Sequence, residues 1–392
     1  MVICFLNLIR LSDSCGGGVE TVSRILVRQF LQDGHKVVLC SFQEKVLEPS
    51  IGFEGCIQYD LSRLDILGEG NIQTFQRILA VEKVDFVLNE TYLSDCQSLC
   101  IAVKKVYPFY LCYTLHQDPY TPIKRLRDNC AWKRRYGDIR GFFYSVLKYP
   151  FSALIRYKHL KKQLKFYVEG VDAFVLLSEK FRNQVDFILD YQYHNLFVIT
   201  NPIELTPITY KKKNENQVVF VGRLDQQKRV DRMLDIWRLV EQERPESSLV
   251  LVGDGNERIW LDEYAKKIGL KNYRFVGTVS ARPFIAESTI LCMVSSYEGL
   301  PMTVLEAQSL GTIPIVYESC GAVDDVITSG EDGWIVKSFS KNLFAKTIIL
   351  TLEDQLLRTK LSKNAISSSA KHSASIIAKE WYDLFEQLKK EK

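Results

Sequence analysis

Ser295-Ser296-Tyr297-Glu298-Gly299-Leu300-Pro301-Met302-Thr303-Val304-Leu305-Glu306-Ala307-Gln308-Ser309-Leu310-Gly311 follows an unbroken apolar run at 290–294. The run reads as a buried strand, the Gly- and Pro-bearing stretch as a loop, and the remainder as a helix. Pro301 suits a first helical turn and Gly311 a helix C-cap. A helix that starts just beyond a strand end turns free N–H groups and the positive end of its dipole toward a phosphate. Glu298 falls in the loop and Glu306 about one turn into the helix. Two acids beside a phosphate site are suited to accept hydrogen bonds from hydroxyls, one on a sugar and one on a ribose. An isolated Glu is ordinarily a solvated surface acid; the strand–loop–helix setting reverses that expectation here.

Working outward, the same alternation fills the chain. In the second half, strands are expected at 217–221, 248–252, 273–275, 289–293, 313–316 and 333–336, with helices at 230–241, 257–268, 302–310 and 323–328. The tail from 343 is helical and ends in an amphipathic 376–388. In the first half, strands are expected at 2–6, 36–41, 85–89, 109–114, 173–177 and 196–199, with helices between them, such as 19–32 and 72–82. Such alternation argues for parallel, doubly wound sheets. The polar stretch 210–216, after Asn201-Pro202 and Pro207, reads as a linker. The expected fold is α/β, with two Rossmann-like doubly wound domains facing across a cleft. Their expected bounds are 1–205 and 206–372, with a helix at 373–392 packing back toward the first domain. Ligands of open α/β sheets sit beyond the carboxyl ends of the strands.

Three further segments carry chemistry at such strand ends. In Val218-Val219-Phe220-Val221-Gly222-Arg223-Leu224-Asp225-Gln226-Gln227-Lys228 a buried strand ends at Gly222, and Arg223 and Lys228 follow just before a helix. A guanidinium fork and an ammonium there suit a diphosphate and the charge that develops on it as it departs. Gly16-Gly17-Gly18-Val19-Glu20 opens a long helix and lets backbone approach a ligand closely, although it has neither the G-x-G-x-x-G nor the Walker A spacing. His116, in Leu115-His116-Gln117-Asp118-Pro119, is the one histidine of five expected at a strand's carboxyl end; His35, His159, His194 and His372 read as surface or structural.

At 392 residues, with 46% hydrophobic and 25% charged residues, the chain has the composition of a globular protein of two to three domains. No apolar run is long enough to span a bilayer. The stretch 1–9 lacks a basic n-region and a cleavage site, so it is expected to be a first strand and not a signal peptide. The ten cysteines are scattered through apolar runs without metal-ligand spacing, as expected of buried thiols in a reducing compartment. No metal site is expected, and the Asn89-Glu90-Thr91 sequon is expected to be idle.

The net charge of +4 lies wholly in residues 1–201, which hold 25 Lys+Arg against 21 Asp+Glu. Within 121–167 there are thirteen basic residues, among them Lys124, Arg125, Lys133, Arg134 and Arg135, against only Asp128 and Asp138. Interleaved aromatics such as Trp132, Tyr136, Phe142, Phe143, Tyr144 and Phe151 suit the face of an anionic membrane. The nearly apolar 142–155 is short and interrupted by Lys148 and Pro150, so it could lie in an interface but not cross it. Nucleic acid is the competing partner for such charge; the fold argues against it.

These segments, in this order, resemble glycosyltransferase family 4, whose members have the GT-B fold. Stretches similar to the family include Gly17-Gly18-Val19-Glu20, Gly34-His35-Lys36-Val37, Asn201-Pro202, Gly222-Arg223 with Lys228, Leu251-Val252-Gly253-Asp254-Gly255, Phe275-Val276-Gly277 and the Glu-x7-Glu pair Glu298 and Glu306. The resemblance implies a metal-independent, retaining transfer of a hexosyl or N-acetylhexosaminyl group from a nucleotide-diphosphate sugar. The base implied is uridine, and no other cofactor is implied. Attack would come from the leaving group's own face, through an oxocarbenium-like transition state. Arg223 and Lys228 would bind the diphosphate, Glu306 the ribose and Glu298 the transferred sugar, with Gly299, Leu300 and Pro301 also among the donor-binding residues. His116 would lie beside the anomeric centre, Gly17 and Gly18 beside the phosphates, and Glu20 on the acceptor side.

A surface-polysaccharide role with a lipid-linked saccharide acceptor is implied, in the cytoplasm at the inner face of the membrane. The pattern departs from the family at Arg229, where glycine is frequent, and at Gln117, where an acid is common. Gln117 leaves the destination of the acceptor's proton open. A sugar-nucleotide epimerase would instead turn over its nucleotide sugar without an acceptor, and a non-catalytic binder would not need all of Arg223, Lys228, Glu298 and Glu306.

Overall fold

The computed structural model of the chain describes residues 1–13, 17–135, 139–205 and 213–391, and within these not the side chains of 130–135, 142 and 144. The chain divides into two compact units. The first is Met1–Pro119, Lys158–Glu204 and His372–Lys392; the second is Tyr120–Tyr157 and Leu205–Lys371.

The strands of the first unit are β1 (Val2–Asn7), β2 (Lys36–Gln43), β3 (Ser50–Ile51), β4 (Ile57–Ser62), β5 (Phe86–Asn89), β6 (Tyr110–Leu115), β7 (Ala173–Leu176) and β8 (Leu196–Val198). Its sheet runs β3-β4-β2-β1-β5-β6-β7-β8, parallel except where β3 pairs antiparallel with β4. The order reverses between β1 and β5, which is the doubly wound arrangement. Buried on both faces, β1, β5 and β7 are continuous apolar runs.

Helix α1 (Gly18–Gln32) buries Val22, Ile25, Leu26 and Phe30, a stripe at helical spacing, and ends where Gly34 takes a φ of +81°. Helices α2 (Glu69–Glu82), α3 (Ser94–Lys104) and α6 (Glu179–Leu189) cover the sheet. The last helix, α13 (Ala374–Lys390), belongs to this unit: Phe385 stacks on Phe86 at 4.2 Å and meets Phe30 edge-on at 6.3 Å.

The second unit has β9 (Asn214–Val221), β10 (Ser248–Val252), β11 (Tyr273–Gly277), β12 (Ser288–Met293), β13 (Ile313–Tyr317) and β14 (Trp334–Val336) in the all-parallel order β11-β10-β9-β12-β13-β14. Its helices are α7 (Val230–Glu243), α8 (Arg258–Lys267), α9 (Arg282–Glu287), α10 (Met302–Ser309), α11 (Lys341–Glu353) and α12 (Gln355–Ser369). Here the order reverses between β9 and β12.

Four expectations differ from the structure. The strand β4 was not expected, because its sequence buries Gln58 and Asp60. Asp60 is held by Arg10, whose Nε and Nη2 donate at 2.8 and 2.7 Å, a partner fifty residues away in sequence. The helix expected at 323–328 is a single 3-10 turn, Val323–Asp325. Of the expected linker 210–216, residues 210–212 lie outside the described residues and 214–216 open β9.

The fourth concerns the basic segment 121–167, which was expected within the first domain. It forms α4 (Thr121–Arg135) and α5 (Ile139–Glu169), and its part up to Tyr157 belongs to the second unit. The reason is Asp128, buried beside Arg229, Arg232 and Ser296; burial raises its carboxyl, and those three neighbours pull it back down. Pro150 does not interrupt α5.

Candidate active site

In the second unit, the two loops flanking the reversal point leave the adjacent parallel strands β9 and β12. Ligands of such sheets bind beyond these strand ends. Gly222 to Lys228 follow β9, and Ser295 to Pro301 follow β12. Gln227 ties them together: its carbonyl accepts the Ser296 N–H at 2.9 Å, and its Nε2 donates to the Tyr297 carbonyl at 3.1 Å. Lys228 is anchored by its own N–H on Asp225 Oδ1 at 3.1 Å, and its Nζ reaches Glu298 Oε1 at 2.7 Å. Both side chains are largely buried, 17% and 10% exposed. Arg223, by contrast, is 70% exposed and leans on Asp225 at 3.2 Å and on Gln227.

Close backbone approach sets these loops. Gly253 has a φ of +128°, and a Cβ there would stand 2.0 Å from the Gly222 carbonyl oxygen. Gly321, at a φ of +76°, backs the second loop: a Cβ would meet the Gly299 oxygen at 2.2 Å and the Glu298 oxygen at 2.5 Å. Neither contact is visible in a linear reading. Pro301 is the N-cap residue of α10 and makes no side-chain cap there, and Glu306 lies half-buried on the helix. Leu300 and Pro301 are buried. Arg229 occupies a left-handed conformation, φ 52°, which accounts for a glycine being suited to this position. Its guanidinium pairs with Asp231 at 3.1 Å. Helix α4 closes on the same loop, with Arg125 at the Tyr297 hydroxyl, whose acidity burial has weakened.

In the first unit, His116 stands just past β6, as expected. Its Nε2 contacts the Glu90 carboxylate, which follows β5 and whose side chain is 1% exposed. Thr114 Oγ1 donates to Glu90 Oε1 at 3.1 Å. Sequence reasoning missed Glu90, although its place directly after an apolar strand was a usable signal. Glu20 folds back over Gly17, so that a Cβ on Gly17 would stand 1.8 Å from its carboxylate. Gly18 is exposed and has open space. Gly16 lies outside the described residues, as do the side chains of Lys133, Arg134 and Arg135. The eight described cysteines are buried thiols.

Along α5, Phe143, Leu147, Phe151 and Leu154 follow one another at i+4 and i+3 spacing, and all are 55–75% exposed. The same row continues as exposed Lys158, Lys161 and Lys165, and begins at exposed Arg140. Lys124 is half-buried on α4. No described helix is long and apolar enough to cross a membrane.

Residues 204–368 match the family model for glycosyl transferases group 1. An amylovoran biosynthesis glycosyltransferase of Erwinia amylovora is 28% identical over 60% of this chain and 66% of its own length. A Campylobacter jejuni alpha-1,4-N-acetyl-D-galactosaminyltransferase, named for an undecaprenol-diphosphate-linked saccharide, is 28% identical over 51% of the chain and 58% of its own length. The chain thus spans between about half and two thirds of the length of these two relatives. Among solved structures, Anabaena HepE with UDP and glucose superposes with a TM-score of 0.72 at 15% identity, covering 99% of this chain and 100% of that one. The lipopolysaccharide outer core galactosyltransferase WaaB superposes at 0.70 and 17%. The chain therefore has the GT-B fold, and its second unit carries the match to the group 1 glycosyl transferases.

Proposed function

We propose that the chain is a retaining, metal-independent glycosyltransferase that moves a hexosyl or N-acetylhexosaminyl group from a nucleotide-diphosphate sugar, with uridine as the base, to a lipid-linked saccharide. The observation that carries this reading is the Lys228–Glu298 pair, held by Gln227 at the reversal point of the second sheet, next to the start of α10. An ammonium and a helix N-terminus favour a diphosphate. A carboxylate and the half-buried Glu306 suit hydroxyls of the sugar and ribose.

In the reaction the bond between the anomeric carbon and the diphosphate oxygen breaks, and its electron pair leaves with the oxygen. Lys228, with Arg223 turned inward from its exposed position, stabilises that charge. A hydroxyl oxygen of the acceptor forms the new bond from the same face, and its proton passes to the departing diphosphate oxygen as the O–H bond breaks. The positive charge that builds on the sugar ring is favoured by the Glu298 carboxylate nearby. His116 supplies a polar contact to the sugar or the reacting groups.

The relatives from Erwinia and Campylobacter support a polysaccharide role and a lipid-linked acceptor. An acceptor anchored in a membrane calls for an enzyme at the cytoplasmic membrane surface. The exposed apolar row of α5, continued by lysines, suits the interface of an anionic bilayer. A thermal-shift screen of nucleotide sugars tests the donor, since a ligand bound by the native state alone raises apparent stability. A UDP-sugar should raise the melting temperature of the wild type, and Glu306→Ala should abolish transfer while leaving the protein folded. Transfer at the wild-type rate by Glu306→Ala would refute the site.

A further inference from the structure

Glu90 has no role in the reading above, yet it is a buried carboxylate at a strand's carboxyl end. Strands β5 and β6 are parallel neighbours, with Asn89 opposite Tyr113. The next pair is therefore Glu90 beside Thr114, and His116 lies two residues further on, on the face that Thr114 shares. The two oxygens of Glu90 divide between them: Oε1 accepts the Thr114 hydroxyl at 3.1 Å, and Oε2 meets Nε2 of His116. Both Glu90 and His116 border a small cavity of about 10 Å3, room for one water molecule. Apolar Leu177, Ile199 and Trp381 line it together with Thr200 and Asn201. Glu90 is its single acidic lining residue among those described.

A carboxylate in such surroundings is costly to bury. The same fold position could be satisfied by an amide, as the preceding residue shows: Asn89 Nδ2 donates to Gln97 Oε1 at 2.9 Å, and Asn89 Oδ1 accepts from Thr91. What an amide cannot do is select a histidine tautomer, because it offers both a donor and an acceptor. An ionised carboxylate only accepts, so its partner nitrogen must carry the proton.

We propose that Glu90 is a positioning residue for His116: it holds the ring by Nε2–H, with Thr114 fixing the carboxylate, so that Nδ1 is the lone-pair nitrogen offered to a substrate hydroxyl. This rests on the reading of His116 as a residue of the transfer site. A carboxylate on one ring nitrogen fixes the tautomer and the direction of the other in this way. It also gives an acid contact to the histidine although Gln117, the following residue, is not acidic.

The test uses the full chain with 15N-labelled histidine, the His116 signals being assigned by their loss in His116→Gln. Wild-type neutral His116 should be the Nε2–H tautomer. Glu90→Gln should show a mixture of tautomers, a kcat at least tenfold lower, and a donor KM within threefold of the wild type. Thr114→Val keeps the carboxylate and should keep the tautomer, with a loss of less than fivefold. A wild-type His116 protonated on Nδ1 overturns the proposal even if Glu90→Gln fails to fold. Wild-type turnover by Glu90→Gln, or an unchanged tautomer in it, also overturns it. Should His116→Gln itself be fully active, the transfer-site reading fails; should it be inactive while Glu90→Gln is active, only the positioning role fails.

Discussion

Replacing Lys228 by Met removes the ammonium and keeps the stem. The partner Glu298 Oε1, 2.7 Å from Nζ, is then left without its cation in a side chain only 10% exposed. Two unit charges at that distance attract by about 6 kcal/mol at an effective dielectric of ~20. Desolvation offsets much of this while the pair is intact. Once one partner is gone, the other's desolvation stands alone, and buried pairs broken this way lose roughly 3–5 kcal/mol. Because both groups keep some contact with solvent, the lower end applies: about 3 kcal/mol for Lys228→Met. Glu298→Gln leaves a lysine whose long stem lets its head reach water, so about 1 kcal/mol is expected there. The double substitution should recover about 2 kcal/mol of the sum.

Urea unfolding of the four proteins measures this. Trp237, Trp260 and Trp334 report on the second unit and Trp381 on the first, so the two transitions are fitted separately rather than as one. A uridine diphosphate titration adds the functional arm. A lost charge-assisted hydrogen bond of about 2 kcal/mol weakens binding roughly 30-fold in Lys228→Met. A coupling energy under about 0.5 kcal/mol would refute the neutralisation of Glu298 by Lys228, and unchanged nucleotide affinity would refute its contact with the diphosphate.

The other predictions rest on separate features. Gly321→Ala adds a Cβ against the Gly299 and Glu298 oxygens, on top of a left-handed backbone. It should cost about 3 kcal/mol and weaken nucleotide binding, whereas Gly269→Ala, with a φ of +80° and open space, should cost only about 1 kcal/mol and leave binding unchanged. Equal costs by thermal melting would contradict the backing role. Lys213 donates to the Ala286 and Ser288 carbonyls and to Thr312, and burial lowers its pKa from 10.5 to about 8. Between pH 8 and 10.5 the unfolded chain holds a proton that the folded chain has lost, so this contribution to stability rises with pH by about 3 kcal/mol. The stability of the wild type minus that of Lys213→Met should rise across that window, and a flat difference would exclude the shift. Finally, Leu147→Glu with Phe151→Glu, both exposed, should cut flotation with anionic vesicles more than tenfold at low salt while leaving the melting temperature unchanged. Flotation at the wild-type level would remove the α5 row as the membrane contact.

The site divides into what neighbours in sequence decide and what only folding brings together. Runs such as Val218-Val219-Phe220-Val221 are legible because a parallel strand covered on both faces has no polar side to interrupt it. Ser295 to Gly311 is legible because loop glycines, a proline and a helix stop punctuate it locally. Strand β4 fails the same test, since its Asp60 is tolerable only with Arg10 arriving from beyond β1. Asp128 fails it in the opposite sense: counted as one of two acids in a basic segment read as membrane-facing, it is buried against Arg229 and Arg232. Charge tallies along a chain average over partners that are distant in sequence, so they describe α5, where the lysines stay exposed, and misdescribe α4. The same logic explains why Lys228 and Glu298 were legible as separate candidates but not as a pair. Each sits past its own strand, and what joins them is that β9 and β12 lie side by side at the reversal of strand order. Glu90 and His116 repeat this in the other sheet, one residue past β5 and one past β6. In both sheets the candidate groups are single side chains past neighbouring strand ends, and the partners are set by strand order. Handedness and crossover rules narrow that order to a few arrangements. Recognised strands therefore limit which strand-end residues can be partners, and the observed order chooses among them.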